Sequence, residues 1–235
     1  MADTKPGITE PGDANDEKSL LRKIKDAIVC QKLAPSQKIT EHVITDMFDT
    51  TRSVARSMME QLTAQNFLVS VSPRITRVAP LTVLNIKENF LLRKMLMPNL
   101  VVMSIPHMDL DKLHAHNKSM AETRVSPENP EEILNLLKIN RKYNLIPVAY
   151  LKYELAINWA KLLEDMAMRI YWLYVKQHGQ LPFDPNTQDR LYDAIKRGDP
   201  DKTRAMITTI LEQNEDRILN SIFSNDQFYS HDLVV

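Results

Sequence analysis

The chain has 235 residues, 43% hydrophobic and 26% charged, with Lys+Arg equal to Asp+Glu at 30 each. That length allows one or two domains with a real core, and zero net charge leaves nucleic-acid binding to the local distribution of charge. The single cysteine, Cys30, excludes an intrachain disulfide, and the four glycines exclude a phosphate-cradling GxGxxG or GxxxxGK loop. No basic segment followed by an apolar stretch opens the chain, and no apolar run approaches the ~20 residues of a spanning helix. The expectation is a cytoplasmic protein without membrane contact.

Residues 1–16 mix Pro, Gly, Asp and Thr without periodicity and read as a disordered tail. Leu20, Leu21, Ile24, Ala27, Ile28 and Val29 then recur at helical spacing, until Pro35 breaks the pattern. Thr40 is an N-cap for a short helix through about Met47, with Val43, Ile44 and Met47 turned inward. Asp49-Thr50-Thr51 reads as a turn and the cap of a longer helix over about 51–66. Two β-prone runs, Phe67–Val71 and Ile75–Val78, flank Ser72-Pro73-Arg74 and signal a hairpin. Three helices followed by a hairpin is the layout of a winged helix-turn-helix, here over 17–80.

From residue 84 the pattern is helical, with expected helices over about 84–104, 109–124, 130–144, 147–178, 187–197 and 200–222. The fourth is expected to start at Pro147 and to carry one stripe: Val148, Leu151, Leu155, Trp159, Leu162, Met166, Ile170 and Leu173. Such a stripe is the central helix of a bundle or part of a dimer seam. The fold class is therefore mostly α: an N-terminal winged helix-turn-helix, a C-terminal all-helical bundle over 84–222, and a tail over 223–235.

Charge is concentrated where the winged helix falls. Over 19–80 the basic residues Arg22, Lys23, Lys25, Lys32, Lys38, Arg52, Arg56, Arg74 and Arg77 outnumber the acidic ones. On the 51–66 helix, ~100° per residue puts Arg52, Ser53, Arg56, Ser57 and Glu60 on one face. Val54, Ala55, Met58, Met59 and Leu62 fall on the other. Two arginines a turn apart at the entering end of a recognition helix suit the O6 and N7 of guanine. Thr50 and Thr51 can hold a phosphate through hydroxyls and free backbone N–H groups. Arg74 and Arg77 flank the hairpin tip, and His42 is placed to touch a phosphate. His114 and His116, two residues apart, point to different helix faces and read as exposed histidines.

The run Glu41-His42-Val43-Ile44-Thr45-Asp46-Met47-Phe48-Asp49-Thr50-Thr51-Arg52-Ser53-Val54-Ala55-Arg56 resembles the signature of the GntR family of bacterial regulators. Ile39, Glu41, Thr51-Arg52 and Arg56 carry the match, which continues through Leu62, Phe67 and Leu68. Ile24, Ile28 and Leu33-Ala34-Pro35 fit the family's first helix and turn. His42, Asp49, Val54 and Ile75 stand where the family has arginine, the turn glycine, proline and the wing glycine. The second half is similar to the FadR branch, with its helical effector (FCD-type) domain: Arg93 with Leu96, and Ala194-Ile195-Lys196-Arg197-Gly198-Asp199 followed by Ala205 and Met206.

The resemblance implies a homodimer on a palindromic double-stranded operator, most commonly a repressor, with a small-molecule effector in the helical domain. In many members of the branch one Asp and three His hold a divalent metal there. Here Asn140 stands for the Asp, the first histidine position falls on Asn144 or near Ala149, and the others fall on Gln188 and Ile210. Amides are weak ligands for zinc, so no metal and no other cofactor is expected. Two readings follow. The pocket takes an effector by direct contact, with Arg93 for an anionic group and Asn140, Tyr143, Asn144 and Gln188 as hydrogen-bonding groups. Alternatively the pocket is filled, and the chain is an effectorless dimeric regulator or interaction protein. No catalytic set with suitable spacing is present, so no enzyme is expected.

Overall fold

The computed structural model describes residues 11–224 and 232–234. They form two compact units: one up to Ile28 and over Lys32–Ala79, the other of Val29–Gln31 and Pro80 onward. Among the described residues there are ten α-helices and one three-stranded sheet.

The first unit is a winged helix-turn-helix. Helix α1 spans Pro11–Val29, so it starts inside the stretch read as a tail; residues 1–10 lie outside the described residues. Strand β1 is only Lys38–Ile39, too short to leave a periodic signal. It is followed by α2 (Glu41–Phe48), α3 (Arg52–Ala64), β2 (Leu68–Ser72) and β3 (Ile75–Val78). The antiparallel order is β1-β3-β2, with Ile39 opposite Thr76 and Leu68 opposite Val78. Ile24, Ile28, Ile39, Ile44, Met58 and Leu62 are fully buried in its core, each burial stabilising by about 1.5–3 kcal/mol.

The turn between α2 and α3 fixes the site that follows. Thr40 caps α2 by accepting from the Val43 N–H, and Thr51 caps α3 by accepting from Val54. Between them Asp49 adopts a left-handed conformation (φ 49°, ψ 61°) and its N–H closes on the Thr45 carbonyl. A glycine suits that position, but Asp is among the few residues that reach it at modest cost.

The second unit is all-helical: α4 (Val83–Ser104), a 3-10 turn (Ile105–His107), α5 (Leu110–Glu122), α6 (Pro130–Asn144), α7 (Ile146–Ala149), α8 (Glu154–His178), α9 (Pro185–Lys196) and α10 (Pro200–Phe223). Helix α4 packs on α8 and α10, α6 on α8, and α9 on α5 and α10. Polar caps set the starts: Thr82 with Asn85 in a reciprocal box, Asp109, Asn129 ahead of Pro130, and Asp199 ahead of Pro200. Gly198, at φ 67°, ends α9 by returning its N–H to Ile195, and Asp199 at once caps α10.

The long helix expected from Pro147 is broken. Its first turn is α7, closed by Tyr150 N–H to Pro147 and Leu151 N–H to Val148, and α8 starts afresh at Glu154. The reason lies in the core. Val148 and Ile157 are both buried in one cluster with Met97, Leu100 and Ala160. Nine residues apart on a straight helix they would point about 180° away from each other. The break resets the phase. Helix α8 therefore buries Ile157, Ala160, Glu164, Ala167 and Tyr171, while Leu155 and Trp159 of the expected stripe face outward, 65% and 55% exposed.

The segment read as a C-terminal tail is also altered. Helix α10 ends at Phe223, and residues 225–231 lie outside the described residues. Leu233 is buried, its N–H donating to the Leu81 carbonyl at 2.8 Å, and Asp232 accepts from the Leu81 N–H at 3.1 Å.

Candidate functional site

The first candidate site is the outward face of α3. Arg52 and Ser53 are exposed at its first turn, beside the exposed cap Thr51 and half-buried Thr50. The Thr51 hydroxyl oxygen accepts from Val54 at 3.4 Å, which leaves its O–H free to donate. Among the described residues no hydrogen bond or close ion pair holds Arg52, although its charge helps lower the Glu41 carboxyl. Arg56 differs. Its Nε donates to Glu41 Oε1 of α2 at 2.7 Å, which lowers the Glu41 carboxyl and raises the Arg56 guanidinium from their ordinary values. The second groove arginine is thus tied to the preceding helix.

The other residues on this unit separate. Arg74 is exposed in the turn between β2 and β3. Arg77 is not at the tip: it stands opposite Lys38 in β1 and donates to the Ser36 carbonyl at 2.7 Å, fastening the sheet. His42 is exposed, with its Nδ1 3.1 Å from Asp46 one turn on.

The second candidate site is a cavity of about 120 Å³ inside the helical unit. Arg93, Tyr143, Asn144 and Gln188 line it; Asn140 is buried but is not part of its wall. Glu164 and Tyr171 of α8 complete its polar end, and the rest is mostly aliphatic, such as Met97, Val101 and Ile207. The polar end is a hydrogen-bonded network. Arg93 donates to Glu164 Oε1 at 2.7 Å and to the Tyr171 hydroxyl at 3.1 Å, and Asn144 donates to Glu164 Oε2 at 2.9 Å. Burial by itself would lower the Arg93 guanidinium, but Glu164 and Tyr171 hold it above its ordinary value. The arginine expected to meet an anionic ligand already has an internal carboxylate.

Glu164 and Tyr171 escaped sequence reasoning because of the phase error in α8. Counted from Leu155 along an unbroken stripe, Glu164 falls on the solvent side. Counted from Ile157, it lies in step with Ala160, Ala167 and Tyr171, and a carboxylate there demands a buried cation.

Asn144, Gln188 and Ile210, which stand at the histidine positions implied by the resemblance, all line the cavity. Two carboxamides and an isoleucine do not fit a divalent cation, and among the described residues no group of three or more His, Cys, Asp or Glu side chains is placed to hold one.

His114 and His116 are not free surface histidines. His114 stacks on Tyr192, with ring centroids 4.0 Å apart and Asp189 at 3.5 Å, and His116 lies flat on Tyr143. Burial, with Lys142 nearby, pushes His116 down to about 4, and its Nε2 is buried without a partner. Its folded value lies below the unfolded ~6.5, so the unfolded chain binds more protons between these two values. Stability present above pH 6.5 is therefore lost as pH falls towards 4, by about 1–2 kcal/mol after allowance for partial exposure. Urea titrations at pH 7 and pH 4.5 check this. His116→Phe, which keeps the stack, is expected to lose less stability between these pH values than the wild type.

No family model matches the sequence, and no curated protein matches it. Solved structures do share its fold. A Rhodococcus sp. RHA1 protein described as a GntR transcriptional regulator aligns with TM-score 0.65 at 16% identity, covering 88% of this chain and 98% of its own. E. coli McbR/YncC aligns with TM-score 0.64 at 15% identity, over 87% of this chain and 97% of its own. A GntR family member from Pseudomonas syringae pv. tomato str. DC3000 aligns with TM-score 0.51 at 16% identity, over 93% and 90%. At these identities the likeness is one of fold: a winged helix-turn-helix followed by a helical unit.

Proposed function

We propose that this chain is a sequence-specific DNA-binding transcription regulator of the GntR type, working in the cytoplasm as a homodimer. The observation that carries the reading is the outward face of α3, where Arg52 and Ser53 project from a capped first turn and, among the described residues, no bond holds Arg52 back. A helix of this kind in a winged unit presents its N-terminal side chains to base edges in the major groove, and the arginine reads guanine. Thr50, Thr51 and His42 meet the backbone beside it, and Arg74 follows from the wing. The sign we assign is repression, on the family resemblance alone. The shared fold with GntR regulators supports the class.

The test needs no prior operator. Selection from a random double-stranded pool is expected to enrich two inverted half-sites, as a two-fold dimer requires. Enrichment of no sequence at physiological salt overturns the reading.

Dimerisation is supported by two apolar stripes that the helical unit leaves uncovered. On α4, Leu91 and Met95 are 55% and 64% exposed at i, i+4, with Leu84 and Leu92 on the same side. On α8, Leu155 and Trp159 are 65% and 55% exposed at i, i+4, with Leu162 and Met166 half-buried along the same line. An exposed apolar surface of this kind marks an association site, and a second copy of the chain supplies the matching stripes. Trp159→Glu is expected to shift the sedimenting species from dimer to monomer with unchanged helicity; a persistent dimer places the seam elsewhere.

The cavity of the helical unit, in this reading, holds a small molecule by direct contact and without a metal. Its binding biases the placement of the two DNA-binding units of the dimer, and so the affinity for DNA.

A further inference from the structure

We infer that the cavity selects a small uncharged ligand, mostly apolar and carrying one hydroxyl or carbonyl oxygen, rather than the carboxylate that an arginine-lined pocket invites. This rests on the reading that the cavity holds a ligand at all, and it names the class.

The charge of the wall decides against ions. Arg93 and Glu164 are the formally charged residues that line the cavity, and they face each other at 2.7 Å with 3% and 1% of their side chains exposed. They cancel. An entering carboxylate finds Glu164 already bound to the guanidinium and is repelled by it. An entering ammonium meets Arg93 in the same way. Either ion would leave water for a low-dielectric site without gaining an unopposed partner.

One donor remains for a neutral oxygen. Arg93 Nε is buried and has no hydrogen-bond partner among the described residues. A buried donor left open is costly, and an alcohol or carbonyl oxygen satisfies it without adding charge. Tyr143, Asn144 and Gln188 stand in the same wall as further hydrogen-bonding groups.

The volume sets the size. About 120 Å³ is close to an apolar cavity that accepts benzene, so the fit is a molecule of roughly six to eight non-hydrogen atoms. Aliphatic side chains from α4, α9 and α10 surround its apolar body, and Arg93 of α4, beside Glu164 and Tyr171 of α8, meets its oxygen.

The probes are benzyl alcohol, benzoate and benzylamine, titrated calorimetrically into the full chain with no DNA present. Benzyl alcohol is expected to bind saturably, at least about tenfold tighter than either ion. Ile210→Phe fills the cavity from α10 and is expected to abolish that binding without unfolding the protein. Glu164→Gln frees the Arg93 charge and is expected to strengthen benzoate by about tenfold. If Glu164→Gln does not fold, the wild-type comparison and Ile210→Phe still decide. Benzoate binding the wild type as well as the alcohol overturns the uncharged class while leaving a ligand site in place. Alcohol binding unaffected by Ile210→Phe overturns the assignment of the cavity. Silence from all three probes overturns both this inference and the ligand-holding role, while the DNA-binding reading is untouched.

Discussion

Arg52→Ala is expected to weaken binding to the selected DNA site by about 1–3 kcal/mol, roughly five- to 150-fold, while thermal unfolding stays where it is. The two halves of that expectation have different origins. The affinity loss follows from removing a bidentate donor at a base edge. The unchanged stability follows from Arg52 being exposed and making no hydrogen bond among the described residues. Arg56→Ala is expected to lose less affinity, because Glu41 competes for its guanidinium at 2.7 Å before any DNA arrives. Arg74→Ala, at the wing tip, is expected to weaken all sequences alike and to reduce the salt slope by about one unit, as a phosphate contact does. Anisotropy titrations at two salt concentrations, with specific and scrambled duplexes, separate the three variants. Equal binding by wild type and Arg52→Ala removes the assignment of α3 as the reading helix.

The winged unit was legible in the sequence because its signals are local. Thr40 and Thr51 cap helices a few residues away, and the inward positions of α3 repeat every three or four residues. What was not legible depends on partners far along the chain. Strand β1 exists because Lys38 and Ile39 pair with Arg77 and Thr76, nearly forty residues on. That Arg77 donates to the Ser36 carbonyl is equally hidden, because nothing local reveals so distant an acceptor.

The helical unit shows the same division. Most boundaries followed from caps and prolines, and four of the five polar residues proposed for a pocket do line one cavity. The break before α8 was hidden because the apolar residues on its two sides happen to continue one stripe. Leu155 and Trp159 of that stripe face outward, whereas Val148, Ile170 and Leu173 are buried. Only the shared burial of Val148 and Ile157 reveals the reset. An unbroken stripe puts Glu164 opposite Leu155, so nothing in the pattern marks it as the partner of Arg93.

Arg93→Leu is expected to destabilise the helical unit by about 3–5 kcal/mol, because it strands the Glu164 carboxylate in the interior. On a unit of this size that lowers Tm by on the order of 10 °C. Glu164→Leu is expected to cost a similar amount by stranding the guanidinium. The double variant Arg93→Leu/Glu164→Leu separates two accounts of the pair. If the loss comes from an uncompensated buried charge, removing both recovers most of it, and the coupling between the sites is large. If the two side chains matter only as packing volume, the single losses add. The double variant also leaves Asn144 and Tyr171 without their present partners, so recovery is expected to fall short of wild type by about 1–3 kcal/mol. Calorimetric unfolding of the four proteins completes the cycle. Additive losses would mean that the ion pair is not what holds the polar end of the cavity together. The preference for an uncharged ligand would then lose its basis, which is the pairing of Glu164 with Arg93.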